Sequence, residues 1–431
     1  MEDIVELLEK RSANYADRPT LNLFDLLYGT KMTGFLHYGP TLKKHRRLMD
    51  EALNKDVLPS YHHVFTEKVH ILLDQFLRQP DLFREHIGEL GASITMSIAY
   101  GYDVTPGVKD HFVKPAEFAI NTGLDLAIPG RTLLSVFGFL CYIPPWIPGA
   151  YTQRLCADVR EAAMLTREAP YQYVKQKMEA GTAKDCVLVR VLERDSGDLG
   201  GVEDEEMLKN FMMTFYFGGV ETMNVSMSNF MLAMTLHTHV QRTAQEDIDK
   251  VVGSHGLPSY EHRASLPYVE ALYREVNRWR PVAPSSVPRA TIKDDIYKGY
   301  YIPKGTIVLP NTWALTRNED KYLDPESFKP VRFLNLDGTL NDDTVSYAFG
   351  SGRRICPGRY MADDVVWLMM VTVLATFNIS KARDDETGNE IDVDADACTD
   401  GLSSHPLPFK CSIVRRSEHA EALVRNALGA T

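Results

Sequence analysis

A single cysteine stands in a glycine-rich run, FGSGRRICPG, that covers residues 349–358. The glycines of this run allow positive φ angles and a close approach of the backbone to a flat partner. Arg353 and Arg354 precede Cys356, and a helix is expected to begin after it; positive charge and the helix dipole both favour a thiolate over a thiol. A thiolate held in this way can ligate iron. The alternative is an inert buried cysteine in a turn.

A second candidate group lies inside the apolar helical pattern of residues 207–239. Gly218 and Gly219 interrupt this pattern, and two glycines inside a helix cost about 2 kcal/mol together relative to alanines. The chain must therefore gain something there, such as room for a ligand plane or a kinked backbone. Glu221 and Thr222 follow at once, and buried polar groups of this kind need partners. Taken alone, the run also fits a pair of packing glycines beside a capped polar residue.

The elements that would position these groups are mostly helical. Helical patterns cover residues 4–11, 42–53, 63–76, 154–179 and 207–239. Strand-like patterns come late, at residues 296–302, 306–309 and 409–414. The sequence therefore predicts a mainly α fold with small β-sheets attached.

Composition narrows the class of protein. The 431 residues fit one large domain or several average ones, and their 44% hydrophobic content indicates a globular protein with a large core. The net charge of −11 argues against nucleic acid as a partner. The six cysteines show no zinc-type spacing, and without a secretory signal they are read as reduced thiols. We find no segment of about 20 apolar residues that would anchor the chain in a membrane.

The cysteine run and the glycine run together resemble the cytochrome P-450 family. Residues 349–358 match that family's haem-binding loop at every fixed position, and residues 218–222 resemble the motif of its central (I) helix. The resemblance covers nearly the whole chain, and the chain as a whole resembles the fungal oxygenases of secondary metabolism. It implies a single cytochrome P-450 domain over residues 1–431, with haem between the I helix and the cysteine loop.

The resemblance also assigns roles to residues. It makes Cys356 the axial ligand of the iron in haem b, and it makes Thr222 and Glu221 catalytic, in hydrogen bonding to dioxygen and in relaying protons. The implied cofactor-binding residues are Cys356, Arg354, Arg46, Arg289, Phe349 and Gly350. Leu42 departs from the family pattern, which has a tryptophan four residues before the arginine, and Met223 replaces a common hydroxyl residue.

A third family motif is structural. Glu275 and Arg278 lie three residues apart and can pair on one helical face, and Arg332 follows in a later loop. The resemblance makes these three residues a buried triad, whereas the motif alone would also fit a surface pair. Removing one member of a buried ion group typically costs about 3–5 kcal/mol, so we expect a role in stability and not in catalysis.

The resemblance implies a monooxygenase that inserts one oxygen atom from O2 into a lipophilic small molecule by hydroxylation or epoxidation. Terpenoids, steroids and polyketides are all candidate substrates. Electrons would come from NADPH through a separate cytochrome P-450 reductase, since no nucleotide-binding glycine motif follows a strand. The distal pocket is expected to involve Phe35, Phe215 and residues 124–126, 282–286 and 401–405. Two alternatives stay open: a haem-thiolate isomerase or dehydratase, and an inactive truncated member of the family.

Two expectations concern the membrane. Eukaryotic family members begin with an anchor, a hinge and a first helix with strands, and this chain begins at what resembles the second helix, so we expect it to be N-terminally short. Residues 132–149 carry no charge and include Pro144, Pro145 and Pro148, which rules out a spanning helix. This segment either touches a membrane surface or packs inside as a loop.

By resemblance the protein would lie on the cytosolic face of the endoplasmic reticulum, with a cytoplasmic location left open.

Overall fold

The computed structural model describes residues 1–20, 22–108, 110–128, 130–194, 202–253 and 256–429, with side chains of the long central helix described from residue 205 onward. The helices are α1 Glu2–Ile4, α2 Asn22–Leu26, α3 Pro40–Leu53, α4 His62–Arg78, α5 Phe83–Tyr100, α6 Val113–Leu126, α7 Leu133–Val136, α8 Tyr151–Glu179, α9 Val187–Arg194, α10 Val202–Leu236, α11 Thr238–Val252, α12 Pro267–Trp279, α13 Thr312–Thr316, α14 Arg359–Thr376 and α15 Glu418–Gly429. The predicted mainly α fold is confirmed.

The strands are short and pair in antiparallel two-stranded units. They are β1 Arg289–Ala290, β2 Asp295–Tyr297, β3 Tyr300–Ile302, β4 Ile307–Val308, β5 Phe377–Lys381 and β6 Cys411–Arg415. β1 pairs with β4, β2 with β3, and β5 with β6. The predicted strand at residues 296–302 is in fact a hairpin, because Lys298 and Gly299 both take positive φ angles, as a tight two-residue turn requires.

α10 is the central helix of the fold. It packs against α5, α8, α12 and α14, and its side chains are buried on several sides, including Phe211, Met212, Phe230 and Met231. A helix that is apolar all round belongs in the middle of a large core, as the sequence predicted. The helix ends at Leu236, and the chain breaks direction at His237 before α11 begins.

α14 begins three residues after Cys356, so the cysteine loop leads directly into a helix of the core. Its side chains from Val365 to Leu374 are all buried, and it packs against α4, α10 and α11. The cysteine loop is therefore fixed by a helix that cannot move without disturbing the main hydrophobic cluster. Among the residues that the structure describes, no helix is both long enough and apolar enough to cross a membrane.

Candidate active site

The cysteine loop is a tight backbone turn. The Cys356 N–H donates to the Phe349 carbonyl oxygen at 2.8 Å, and the Ile355 N–H donates to the Gly352 carbonyl oxygen at 3.1 Å. Gly352 has a φ of 55°, and a Cβ atom at this position would overlap the carbonyl oxygen of Leu8. The glycine is thus required both by its conformation and by the close approach of the N-terminal segment.

Two arginines fix the backbone on either side of the sulfur. Arg46 donates to the carbonyl oxygen of Ile355 and Arg359 to that of Cys356, each at 2.9 Å. Burial raises the pKa of the Cys356 thiol, opposed by the Gly358 N–H and by the charges of Arg359 and Arg46. Burial therefore opposes the thiolate that the sequence predicted, and a bound metal cation would supply the charge that favours it.

Arg353 and Arg354, which the sequence suggested would stabilise the thiolate, have other described partners. Arg353 donates to the Tyr38 hydroxyl. Arg354 donates to the carbonyl oxygens of Ala16 and Leu36, each at 2.6 Å. The charges nearest the sulfur therefore belong to residues outside the motif or after it, because the turn directs the two preceding arginines to the N-terminal segment.

A cluster of arginines lies beside this loop. Arg289 is 3% exposed, Arg18 is 6% exposed and Arg354 is 9% exposed, and Arg46 is half-buried. Burial and the charges of Arg354 and Arg289 lower the pKa of Arg18 to about 9. Burial and the charge of Arg46 lower the pKa of Arg289 to about 10. Close packing of like charges in the interior is costly unless an anion balances it.

The charges of Asp17 and Asp50 offset part of the positive charge of this cluster, but its hydrogen bonds go to backbone carbonyl oxygens. Arg18 donates to the carbonyl oxygens of Gly34, Val287 and Pro288, and Arg289 donates to that of Ser351 at 2.8 Å. Within the described residues no ion pair joins any of the four guanidinium groups to a carboxylate, and the buried Nη1 of Arg289 has no partner. A ligand with two carboxylates would satisfy this cluster, and haem has two propionates. The residues therefore fit the group that the sequence implied.

The two glycines of α10 serve different purposes. A Cβ atom on Gly219 would lie 3.0 Å from Oγ1 of Thr95 in α5, so this glycine allows two helices to pack closely. A Cβ atom on Gly218 would meet no protein atom within 4 Å. Gly218 and Thr222 are both exposed, one turn apart, although Phe217, Val220 and Met223 around them are buried. One strip of the buried helix is therefore accessible.

The acid beside Thr222 is held by a late loop of the chain. Oε1 of Glu221 accepts hydrogen bonds from Oγ of Ser403 and Nε2 of His405, both at 2.7 Å. Burial acts to raise the pKa of this carboxyl, but the hydrogen bond and charge of His405 outweigh it, and the pKa is lowered. The Thr222 hydroxyl donates to the Gly218 carbonyl oxygen at 2.7 Å. Thus the two candidate catalytic side chains have separate partners.

The structure brings the three predicted triad residues together. Arg278 donates to both carboxylate oxygens of Glu275, at 2.7 Å and 2.9 Å, and Nε of Arg332 lies 3.2 Å from Oε2. The backbone N–H of Lys329 donates to Oε1 at 2.6 Å. Glu275 and Arg278 are fully buried. This network joins α12 to the loop of residues 325–332.

The predicted pocket segments meet only in part. Ser404 N–H donates to the Val282 carbonyl oxygen at 2.9 Å, so the segments 401–405 and 282–286 lie together beside Glu221. Leu126, in contrast, packs in a separate hydrophobic cluster with Leu23, Leu134 and Val159. Arg18 and His405 lie in no sequence motif that would indicate these contacts, and neither is individually a predicted site residue.

These features define a helical protein whose cysteine loop and buried arginines fit haem, and comparison with known proteins shows the family. The family model for cytochrome P-450 matches residues 1–411. The chain belongs to the cytochrome P-450 family, and its relatives are named monooxygenases. The family implies haem, a redox partner and a small-molecule substrate.

Several fungal relatives are similar over most of their length. Cytochrome P-450 monooxygenase claR of Ampulloclitocybe clavipes is 35% identical over 98% of this chain and 78% of the relative. A monooxygenase of Armillaria gallica is 36% identical over 98% of this chain and 82% of the relative. Monooxygenase ppsD of Aspergillus oryzae is 34% identical over 97% of this chain and 79% of the relative. The predicted family and the predicted enzyme class are confirmed.

Proposed function

We propose that this monooxygenase hydroxylates or epoxidises a lipophilic small molecule of fungal secondary metabolism. The observation that carries the proposal is the accessible strip of Gly218 and Thr222 on an otherwise buried helix. Such a strip gives a flat cofactor and an apolar substrate access to one hydroxyl group. The similarity to fungal monooxygenases supports the biosynthetic role, and the mostly apolar pocket segments support a lipophilic substrate.

In this proposal the haem and the protein residues have different roles. Haem supplies the binding and activation of dioxygen, and the protein supplies the ligand, the orientation and the protons. Cys356 provides the sulfur ligand, and Phe349 and Gly350 form the turn that presents it. Arg46, Arg289 and Arg354 would balance the two propionates, with Arg18 as a fourth cation. The hydroxyl of Thr222 and the carboxyl of Glu221, both on α10, would hold and pass protons.

The direct test compares product formation with oxygen use. Thr222→Ala removes the hydroxyl and leaves the helix backbone intact, so we expect oxygen and NADPH consumption to continue while product falls and hydrogen peroxide rises. Thr235→Ala is the matched control, since Thr235 makes the same bond to the carbonyl four residues earlier but is buried. Tight coupling in Thr222→Ala would remove Thr222 from the mechanism. Substrate turnover without NADPH use would instead favour the isomerase or dehydratase.

We also propose that electrons arrive from NADPH through a separate reductase. The basic residues that we propose for docking are Lys43, Lys44 and Arg47 on α3, all exposed, and the half-buried Arg359 on α14; α3 also exposes the acidic Asp50 and Glu51. A basic surface here would steer an acidic partner at low salt. Reversing the charges of Lys43 and Arg47 should slow reduction at low salt and leave the haem spectrum intact. Unchanged reduction would exclude this docking surface.

A peripheral membrane contact completes the proposal, with the enzyme on the cytosolic face of the endoplasmic reticulum. Residues 132–149 expose Phe139 at 69%, Tyr142 at 81% and Trp146 at 79%, a patch that favours an apolar surface. Replacing these three residues with serine should release the protein from phosphatidylcholine vesicles in a flotation assay. Equal flotation of the parent and the variant would locate membrane contact elsewhere.

A further inference from the structure

The loop whose side chains hydrogen-bond Glu221 is stabilised by two hydrogen bonds of its own. Thr399 N–H donates to the His405 carbonyl oxygen at 2.8 Å, and His405 N–H donates back to Oγ1 of Thr399 at 3.0 Å. We call residues 399–405 the acid-holding loop. These two bonds close it into a compact turn, so that the Ser403 and His405 side chains reach Glu221 from a preset backbone.

The acid-holding loop also contacts elements that border the predicted pocket. Its Ser404 N–H is bonded to the Val282 carbonyl oxygen, just after α12. A Cβ atom on Gly401, whose φ is 116°, would lie 3.3 Å from Cγ1 of Ile128, two residues after α6. The loop is thus in contact with the segments that follow α12 and α6.

The helix geometry separates the acid from the hydroxyl. Consecutive residues on an α-helix are rotated by about 100°, so Glu221 and Thr222 project along different strips of α10. Thr222 lies on the accessible strip with Gly218, whereas Oε1 of Glu221 is bonded to Ser403 and His405. A proton on Glu221 therefore reaches Thr222 only by movement of the carboxyl or through water.

We propose that His405 is a positioning residue that ties Glu221 to the acid-holding loop and delivers protons to it from solvent. Of the two side chains that hydrogen-bond Oε1 of Glu221, the imidazole of His405 can carry a proton and the hydroxyl of Ser403 cannot take a positive charge at ordinary pH. The side chain of Glu221 is 13% exposed and that of His405 is 20% exposed. The histidine thus borders both solvent and the buried acid, while Ser403 can hold the acid but carries no exchangeable charge.

The proton step balances without another reactant. The imidazolium of His405 gives its Nε2 proton to Oε1 of Glu221, which leaves a neutral imidazole and a carboxylic acid; because the pKa of Glu221 is lowered, this acid form is short-lived and must pass its proton on at once. The acid then passes the proton toward Thr222 and becomes a carboxylate again, and the imidazole takes the next proton from water. This inference rests on the proposed monooxygenase function, because the demand for protons comes from dioxygen chemistry.

Two variants distinguish a residue that only hydrogen-bonds Glu221 from a residue that also delivers protons to it. His405→Gln keeps an N–H donor for Oε1 but cannot carry a proton, and Ser403→Ala removes the other hydrogen bond to the same oxygen. We expect His405→Gln to lower the ratio of product to NADPH consumed at least about tenfold, with an enlarged solvent isotope effect. Ser403→Ala also loosens the acid, so we expect it to lower this ratio, but less than His405→Gln does and with the solvent isotope effect of the parent. Equal behaviour of the two variants would overturn the proposal.

A second readout does not depend on turnover. In a double-mutant cycle with Glu221→Gln, followed by urea unfolding of the haem-loaded protein, His405→Gln should change the unfolding midpoint less in the Glu221→Gln background than in the parent. Additive effects would show that the two side chains do not interact. His405→Asn serves as the second variant if His405→Gln binds no haem.

The outcome for Thr222→Ala distinguishes a failure of the proposed function from a failure of the inference about His405. If Thr222→Ala uncouples the enzyme and His405→Gln does not, the inference about His405 fails and the proposed function stands. If neither variant uncouples the enzyme although both retain the carbon monoxide spectrum, the proton relay of the proposed function fails as well.

Discussion

Replacing Glu275 with glutamine should destabilise the protein strongly while leaving the shape of the side chain almost unchanged. The parent carboxylate lies between two guanidinium groups, those of Arg278 and Arg332, and accepts a further hydrogen bond from the backbone of Lys329. The amide removes the negative charge and points an N–H group toward donors. Two buried cations then lose their counter-charge.

The size of this effect follows from the burial of the network. Glu275 and Arg278 are both fully buried, and the side chain of Arg332 is 9% exposed, so water cannot replace the lost partner. Breaking a buried ion group typically costs about 3–5 kcal/mol, against a total stability of about 5–15 kcal/mol for a folded domain. We expect a fall of this size in the free energy of unfolding, together with a lower haem content after expression.

Urea unfolding followed by tryptophan fluorescence measures the change, and Asp249→Asn is the matched control. Asp249 forms two hydrogen bonds with Arg416, at 2.9 Å and 2.7 Å, but its side chain is 56% exposed. Exposed pairs contribute about 0.2–1 kcal/mol, so the control should lose little. A Glu275→Gln variant as stable as the control would refute the argument that burial makes this network structural.

The remaining predictions concern the two glycines of α10 and a buried histidine. Gly219→Ala should destabilise the protein by about 1–3 kcal/mol, because its Cβ would press on Thr95, whereas Gly218→Ala should gain about 0.5–1 kcal/mol from helix propensity and perturb the haem spectrum. Burial lowers the pKa of His45 to about 4, so the unfolded chain takes up this proton first as the pH falls. Stability should therefore decrease by up to about 3 kcal/mol between about pH 6.5 and pH 4, and His45→Gln should remove that part of the slope.

Each of these predictions has an outcome that contradicts it. Equal unfolding midpoints for Gly218→Ala and Gly219→Ala would mean that the packing difference between the two positions has no energetic weight. An unchanged haem spectrum in Gly218→Ala would mean that the open side of α10 does not border the cofactor. For His45, a parent and a His45→Gln variant with identical pH dependence of urea unfolding would show that the imidazole does not titrate on unfolding.

The sequence predicted those parts of the molecule whose pattern is local. The apolar stretch that contains Gly218 and Gly219 predicted a central helix because it is long and apolar on most sides. The cysteine loop was recognisable because its glycines and Cys356 stand at the spacing of the haem-binding loop of the cytochrome P-450 family. The sequence of residues 296–302 predicts one strand, because the positive φ angles of Lys298 and Gly299 that make it a hairpin are not evident from residue types alone.

Contacts between distant segments could not be predicted in the same way. Arg18 reaches the carbonyl oxygens of Val287 and Pro288, some 270 residues away, and no local pattern marks it. His405 lay in a segment expected to border the pocket, but its bond to Glu221 depends on how the acid-holding loop folds over α10. The two glycines of α10 looked equivalent in the sequence, and only the neighbouring Thr95 distinguishes them.

The most direct test of the account is the carbon monoxide difference spectrum of the reduced, haem-loaded protein beside Cys356→His. We predict a strongly red-shifted Soret band in the parent, since a thiolate donates electron density to the iron. In Cys356→His that band should be lost, with the histidine as a nitrogen ligand or with no haem bound. A parent protein whose spectrum matches nitrogen ligation, or that retains no haem, would contradict the assignment of Cys356 as the iron ligand.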